Sequence, residues 1–363
     1  MMDSTGWTDQ MIGTTLYRCT IMLTVVLACG NLQAAQPEEP ANLEHFRFER
    51  SIKFTDPHSV HSDTLLIGHI WSLEVGADGR LLVVDMRGQQ AFLFDQEGRM
   101  LAPLDPSVCH PGFEVRPVHG IFIGDQSILL SNAGPWGYRF TTDGDCLGNI
   151  DPDFSLTSAG FLSAGHHDLL HGLSQGAGKA VVQAMDTRGK LLREIPLPSI
   201  SHPNISRRIA TGGLIADNTN LFYTGPVDPH ILRLSLDGKV IARISHRTSW
   251  FRDASADLPD LNQNDPMALV QAVGRVFRST TLTDALFELT AETILAQYIN
   301  PGVERGYQIF TKQGRLVAQE LGIEILFNAA RDGLAYRVVQ PGLDDSGELP
   351  NPFIEVYRFI TPP

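Results

Sequence analysis

The chain has 363 residues, 43% hydrophobic and 19% charged, with 33 Gly and 22 Pro. Apolar residues recur throughout, which argues against disorder, and the many turn formers point to short strands. A net charge of −13 with no run of basic residues argues against nucleic acid as a partner, because such binding rests on clustered Lys and Arg.

The first element is a targeting segment. CTIMLTVVLAC (19–29) has the length of a signal-peptide core and is short for a membrane span. Arg18 precedes it, and small residues follow in Leu32-Gln33-Ala34-Ala35, so a signal peptide is expected over 1–35 and a linker over 36–43. Val26-Leu27-Ala28-Cys29 also resembles a lipobox, which makes lipidation at Cys29 the alternative to free secretion. Either way the expected location is periplasmic or extracellular. Of four Cys, two lie in this segment. Cys109 and Cys146 remain, either as a disulfide or as two separate thiols.

From residue 44 to 363 one pattern repeats: an alternating apolar run, a turn with Gly, and a second short run. It occurs in AFLFDQEGRMLAPL (91–104), YRFTTDGDCLGNI (138–150), QAMDTRGKLLREI (183–195), ILRLSLDGKVIARI (231–244) and YQIFTKQGRLVAQEL (307–321). Each reads as a β-hairpin whose turn needs a left-handed residue, supplied by Gly. The turn glycines Gly98, Gly144, Gly189, Gly238 and Gly314 are spaced by 46, 45, 49 and 76 residues. A second hairpin precedes each of these, as in HIWSLEVGADGRLLVVD (69–85) and HGIFIGDQSILLSN (119–132). Four strands at such a period predict an all-β, six-bladed β-propeller of four-stranded antiparallel blades. The last blade, FIEVYRFI (353–360), lacks its second half, and FRFERSIKF (46–54) supplies a strand at the other end. Pairing of the N-terminal strand into the last blade is therefore expected to close the ring. The long spacing places an insertion at 247–282, where DPMALVQAVGRVF (265–277) has helical spacing behind Asp265 and Pro266.

Blade one, with its VxxDGRLLVVDxxxQxxFLFDxxGR pattern, resembles an NHL-type repeat, and the whole chain is similar to bacterial six-bladed propellers that are secreted or lipid-anchored. That resemblance implies a fold; propellers host binders and enzymes alike. It also implies that Asp85 and Arg87 tie a loop to their blade, and that some such propellers hold a metal with His from several blades.

Ligands of propellers usually bind where loops gather at the channel mouth. His69 and His119 are read as equivalent residues at the starts of innermost strands. With Arg116, Trp136, Arg208 and His230 they form the candidate ligand site; Arg207, Arg278 and Trp250 lie in loops or at strand entries of the same face. The Arg residues suit carboxylate or phosphate. His166, His167 and His171 form the densest His cluster, read as surface turn residues. The reading that follows is an exported binding propeller, without a cofactor, for a small anionic ligand, peptide, glycan or protein. The alternative is a metal-dependent hydrolase or lyase of the NHL-like or gluconolactonase-like kind. It would hold Zn or Ca at His69 and His119, although later blades offer Ser158, Thr211, Asp284 and Glu324 rather than a third His.

Overall fold

The computed structural model describes residues 40–362 except 58–64, 112–115, 125, 133–136, 151–158, 165–169, 177–178, 187, 189, 198–211, 218, 246–247, 255–264, 303 and 344–348. The signal peptide and Cys29 lie outside the described residues. The chain forms a propeller of four-stranded antiparallel sheets. The first sheet is β2 (Ile70–Val75), β3 (Leu81–Asp85), β4 (Gln90–Phe94) and β5 (Met100–Leu104). The second is β6 (Pro117–Ile123), β7 (Ser127–Asn132), β8 (Gly137–Thr141) and β9 (Cys146–Ile150). The third is β10 (Ala159–Ala164), β11 (Leu170–Gly176), β12 (Lys179–Met185) and β13 (Leu191–Pro196). The fourth is β14 (Gly213–Ala216), β15 (Asn220–Thr224), β16 (His230–Ser235) and β17 (Val240–Ser245). The fifth is β18 (Leu282–Thr290), β19 (Thr293–Ile299), β20 (Arg305–Thr311) and β21 (Leu316–Ile323).

The remaining sheet runs in the order β1 (Phe46–Ile52), β24 (Phe353–Phe359), β23 (Leu334–Val339), β22 (Ala329–Arg331), so the N-terminal strand lies along the C-terminal one. Their register runs from Phe46 opposite Phe359 to Ile52 opposite Ile354. The first strand of each sheet touches that of the next, and β22 touches β2.

The core is a set of layers between neighbouring sheets. In β3, Leu81 and Val83 pack toward the β22–β24 side while Leu82 and Val84 pack toward the second sheet. That is why LLVV is buried throughout: a strand covered on both faces reads as a continuous apolar run. The turn glycines Gly98, Gly144, Gly238 and Gly314 all have φ between 88° and 102°, the region that favours Gly.

Three residues after each hairpin glycine position, the outermost strand carries a β-bulge. The extra residues are Leu101, Leu147, Leu192, Ile241 and Val317. A bulge disrupts pairing on an otherwise open edge and so discourages edge-to-edge association. The first four are exposed Leu or Ile side chains, which the alternating pattern alone would have turned inward or outward in strict register.

The insertion holds α2 (Pro266–Ser279), and the shorter α1 (Pro106–Cys109) lies in the first inter-sheet loop. The Asp265 carboxylate accepts the Met267 N–H at 3.0 Å, capping α2, and Pro266 takes the first turn. Leu269, Ala272, Val273 and Val276 form its buried stripe against Val227 and Leu282. Cys109, at the end of α1, is bonded to Cys146 of β9, with 5.5 Å between Cα atoms.

Just before β1, Leu43 is buried, and Ala41 packs against the same apolar cluster. The sequence gives no local sign of this, because the covering residues lie about three hundred positions away.

Lys312, in the β20–β21 turn, makes ion pairs with Asp217 of the fourth sheet, at 3.1 Å, and with Glu288. Burial pulls its ammonium pKa down, but the two carboxylates outweigh this and raise it. Replacing Lys312 with Met is expected to cost about 2 kcal/mol in urea unfolding, because it strands the half-buried Asp217 carboxylate. An unchanged unfolding midpoint would show that the pair contributes nothing net.

Candidate ligand site at the loop face

Polar side chains at or just past the ends of the second strands tie the loops down. Asp85, 2% exposed, accepts N–H groups of Gly68 (2.7 Å), His69 (2.9 Å), Arg87 (3.0 Å) and Gly88 (3.0 Å). Asn132 accepts the Arg116 N–H at 2.7 Å, and Asn300 accepts the Thr281 hydroxyl at 2.7 Å. Gln340 donates to the Ile70 carbonyl at 2.8 Å. Asp85 is thus a loop anchor, and so are the two asparagines.

His69 and His119 are not equivalent. Ile70 faces Asp85 in one sheet and Pro117 faces Asn132 in the next, so His69 matches Arg116 and His119 matches Ser72. The two matched side chains touch: His119 Nδ1 lies 2.8 Å from Ser72 Oγ. Burial pushes the His119 imidazole down to about 4, so it is neutral at pH 7. Burial also lowers His69, partly offset by the nearby Asp85. His69 lies outside β2, its ring 6.4 Å from that of Trp71. Two residues beyond Ser72, Glu74 is raised to about 7 by burial, with Arg331 acting against that shift. Among the described residues, no group of three or more His, Cys, Asp and Glu is placed to hold a metal ion.

The other expected site residues are scattered. Trp136, Arg207, Arg208, His166 and His167 lie outside the described residues, as do Ser158 and Thr211. The Arg116 side chain is exposed. His230 opens β16 opposite Ser245, half-buried. Arg278 sits in the last turn of α2, and Trp250 packs edge-on to Tyr298 at 5.6 Å.

What the structure does assemble is an open cleft lined by Glu304, Arg305, Gly322, Ile323 and Glu324. Arg305 Nη1 donates to the Glu324 carbonyl at 2.7 Å. Among the described residues its guanidinium makes no other hydrogen bond, which leaves several donors for a ligand. Asp284 is the bulge residue of β18; burial raises its carboxyl, and Arg305 opposes that rise. Arg305 is the first residue of β20, as His230 is of β16. Aligning third-strand starts would therefore have found it.

No family model matches the chain, so the NHL-type likeness remains a resemblance within blade one. No curated protein matches either. Solved structures do. One, from Bacteroides fragilis NCTC 9343 and named as an exported protein, is 13% identical with a TM-score of 0.62, covering 89% of this chain and 98% of that one. A DUF4221-family member from Bacteroides vulgatus is 9% identical with a TM-score of 0.57, covering 87% and 98%. A streptogramin B lyase is 10% identical with a TM-score of 0.46, over 88% and 89%, too distant to bear on activity. At these identities the likeness shows the propeller fold alone.

Proposed function

We propose that this chain is an exported six-bladed propeller, closed through its N-terminal strand, that binds an anionic group of a peptide, glycan or protein on its loop face. The cycle of contacts from β2 through β6, β10, β14, β18 and β22 back to β2 supports the closed ring. The leader-like segment 19–29 supports export, and a fold neighbour named as exported fits it. Among the described residues no helix is long and apolar enough to cross a membrane.

Arg305 carries the binding reading. One end of its guanidinium is pinned to a backbone carbonyl in an open cleft, and the rest offers the fork that suits carboxylate or phosphate. The test is a screen of the mature chain against acidic peptides and uronate or sialylated glycans, repeated with Arg305→Ala. Ligands that the wild type captures should bind that variant about 10- to 100-fold more weakly, the range for a lost charge-assisted hydrogen bond. Binding that ignores Arg305→Ala would overturn this site. A divalent metal that copurifies, and is lost in His69→Ala or His119→Ala, would favour the lyase or hydrolase reading instead.

A further inference from the structure

Residues 41–45 precede β1, outside the four-strand repeat, yet are held by two sheets at once. The Ala41 N–H donates to Tyr357 Oη at 3.0 Å, in β24. Tyr357 in turn donates to Glu355 at 2.7 Å, and Glu355 pairs with Arg337 at 3.1 Å. Three residues on, the Glu44 N–H donates to Glu320 Oε2 at 3.0 Å, in β21. The same carboxylate oxygen accepts the Tyr307 hydroxyl at 2.5 Å, in β20. Between these tethers Leu43 is buried, and Phe46 sits edge-on to Tyr307 with 5.2 Å between ring centres. His45 accepts the Ile360 N–H on its backbone carbonyl.

This strap reaches the wall of the Arg305 cleft. Leu43 and Phe46 belong to one apolar cluster with Ile323 and Ile325, and Ile323 lines the cleft. Tyr307 is two residues beyond Arg305 on the same strand and faces Glu320 across the ladder. Unseating the strap takes Leu43 out of the apolar cluster that holds Ile323 and takes one donor from the Glu320 carboxylate that holds β20. We propose that the N-terminal strap is a regulatory prop for the loop-face cleft, so that the seating of the N-terminus sets the order of the strand that presents Arg305. This rests on the cleft being the binding site, but the strap's effect on the strands can be read without any ligand.

The experiment is hydrogen exchange by mass spectrometry on the full mature chain, comparing wild type with Leu43→Ala and Glu320→Gln. Amides of 305–310 and 320–325 should exchange at least about 10-fold faster in both variants, while those of 117–132 keep wild-type rates, as expected for sub-global opening. Unchanged exchange in 305–325, or equal acceleration in every sheet, would overturn the proposal. Arg305→Ala separates the two ideas. It should leave exchange in 307–310 as in wild type while weakening capture of acidic peptides, so a failed ligand screen leaves the exchange result standing.

Discussion

Glu74→Gln should make the protein about 3 kcal/mol more stable relative to wild type at pH 7 than at pH 4.5. In the folded chain burial raises this carboxyl from 4.5 to about 7. The native state therefore binds more protons than the unfolded state across that window. Stability is full below 4.5 and is lost as pH rises toward 7, at about 1.4 kcal/mol per unit. His119 runs the other way. Burial lowers it from 6.5 to about 4, so its contribution is present above 6.5 and is lost as pH falls toward 4. Between 4.5 and 6.5 the two slopes oppose each other, and the wild type hides both. In the difference from wild type, Glu74→Gln isolates the Glu74 slope and His119→Gln the His119 slope. Urea unfolding at a series of pH values measures each difference from wild type, in which the other carboxylates cancel. A flat difference for Glu74→Gln would mean that water reaches Glu74 and its carboxyl titrates normally.

Loss of the Cys109–Cys146 bridge is the larger expected effect. The bond closes a loop with a sequence separation of 37, and loop-closure entropy puts its stabilisation at about 4 kcal/mol. The double variant Cys109→Ser/Cys146→Ser should unfold at clearly lower urea concentration than the oxidised wild type. Dithiothreitol should bring the wild type to the variant's midpoint and leave the variant unmoved. A shift under about 1 kcal/mol would show that the unfolded chain gains little freedom when the bond is cut, because residual structure already holds that loop together.

The fold was readable because its signal is periodic. Each hairpin needs one left-handed turn residue, so Gly98, Gly144, Gly238 and Gly314 mark the sheets at a fixed phase. Even the α2 cap was legible, since Asp265 and Pro266 act on their own helix. The site was harder because it depends on phase within a strand. His69 and His119 are 50 residues apart, whereas Gly98 and Gly144 are 46 apart, and that mismatch already places the two His at different positions. Bulges between Ile70 and Ser72, and between Pro117 and His119, compound the problem, because one extra residue turns a side chain to the other face. The strap was illegible for another reason. Gln-Pro-Glu-Glu-Pro has the composition of a spacer, and only partners far along the chain reveal that Ala41 and Leu43 are held.

The pairing of Phe46 with Phe359 has a consequence in time. A ribosome adding about 5–20 residues per second needs roughly 15–60 s to make the intervening chain. Throughout that interval β1 exists without its partner. Its sequence, Phe-Arg-Phe-Glu-Arg-Ser-Ile, interleaves Arg47, Glu49 and Arg50 among the apolar residues, and charges on an unpaired strand discourage pairing with other chains. The residues of β24 are thus the ones that relieve β1 of its wait. A chain that stops before Phe353 is left with β1 unpaired and with β23 paired on its β22 side alone, however well its earlier sheets have formed.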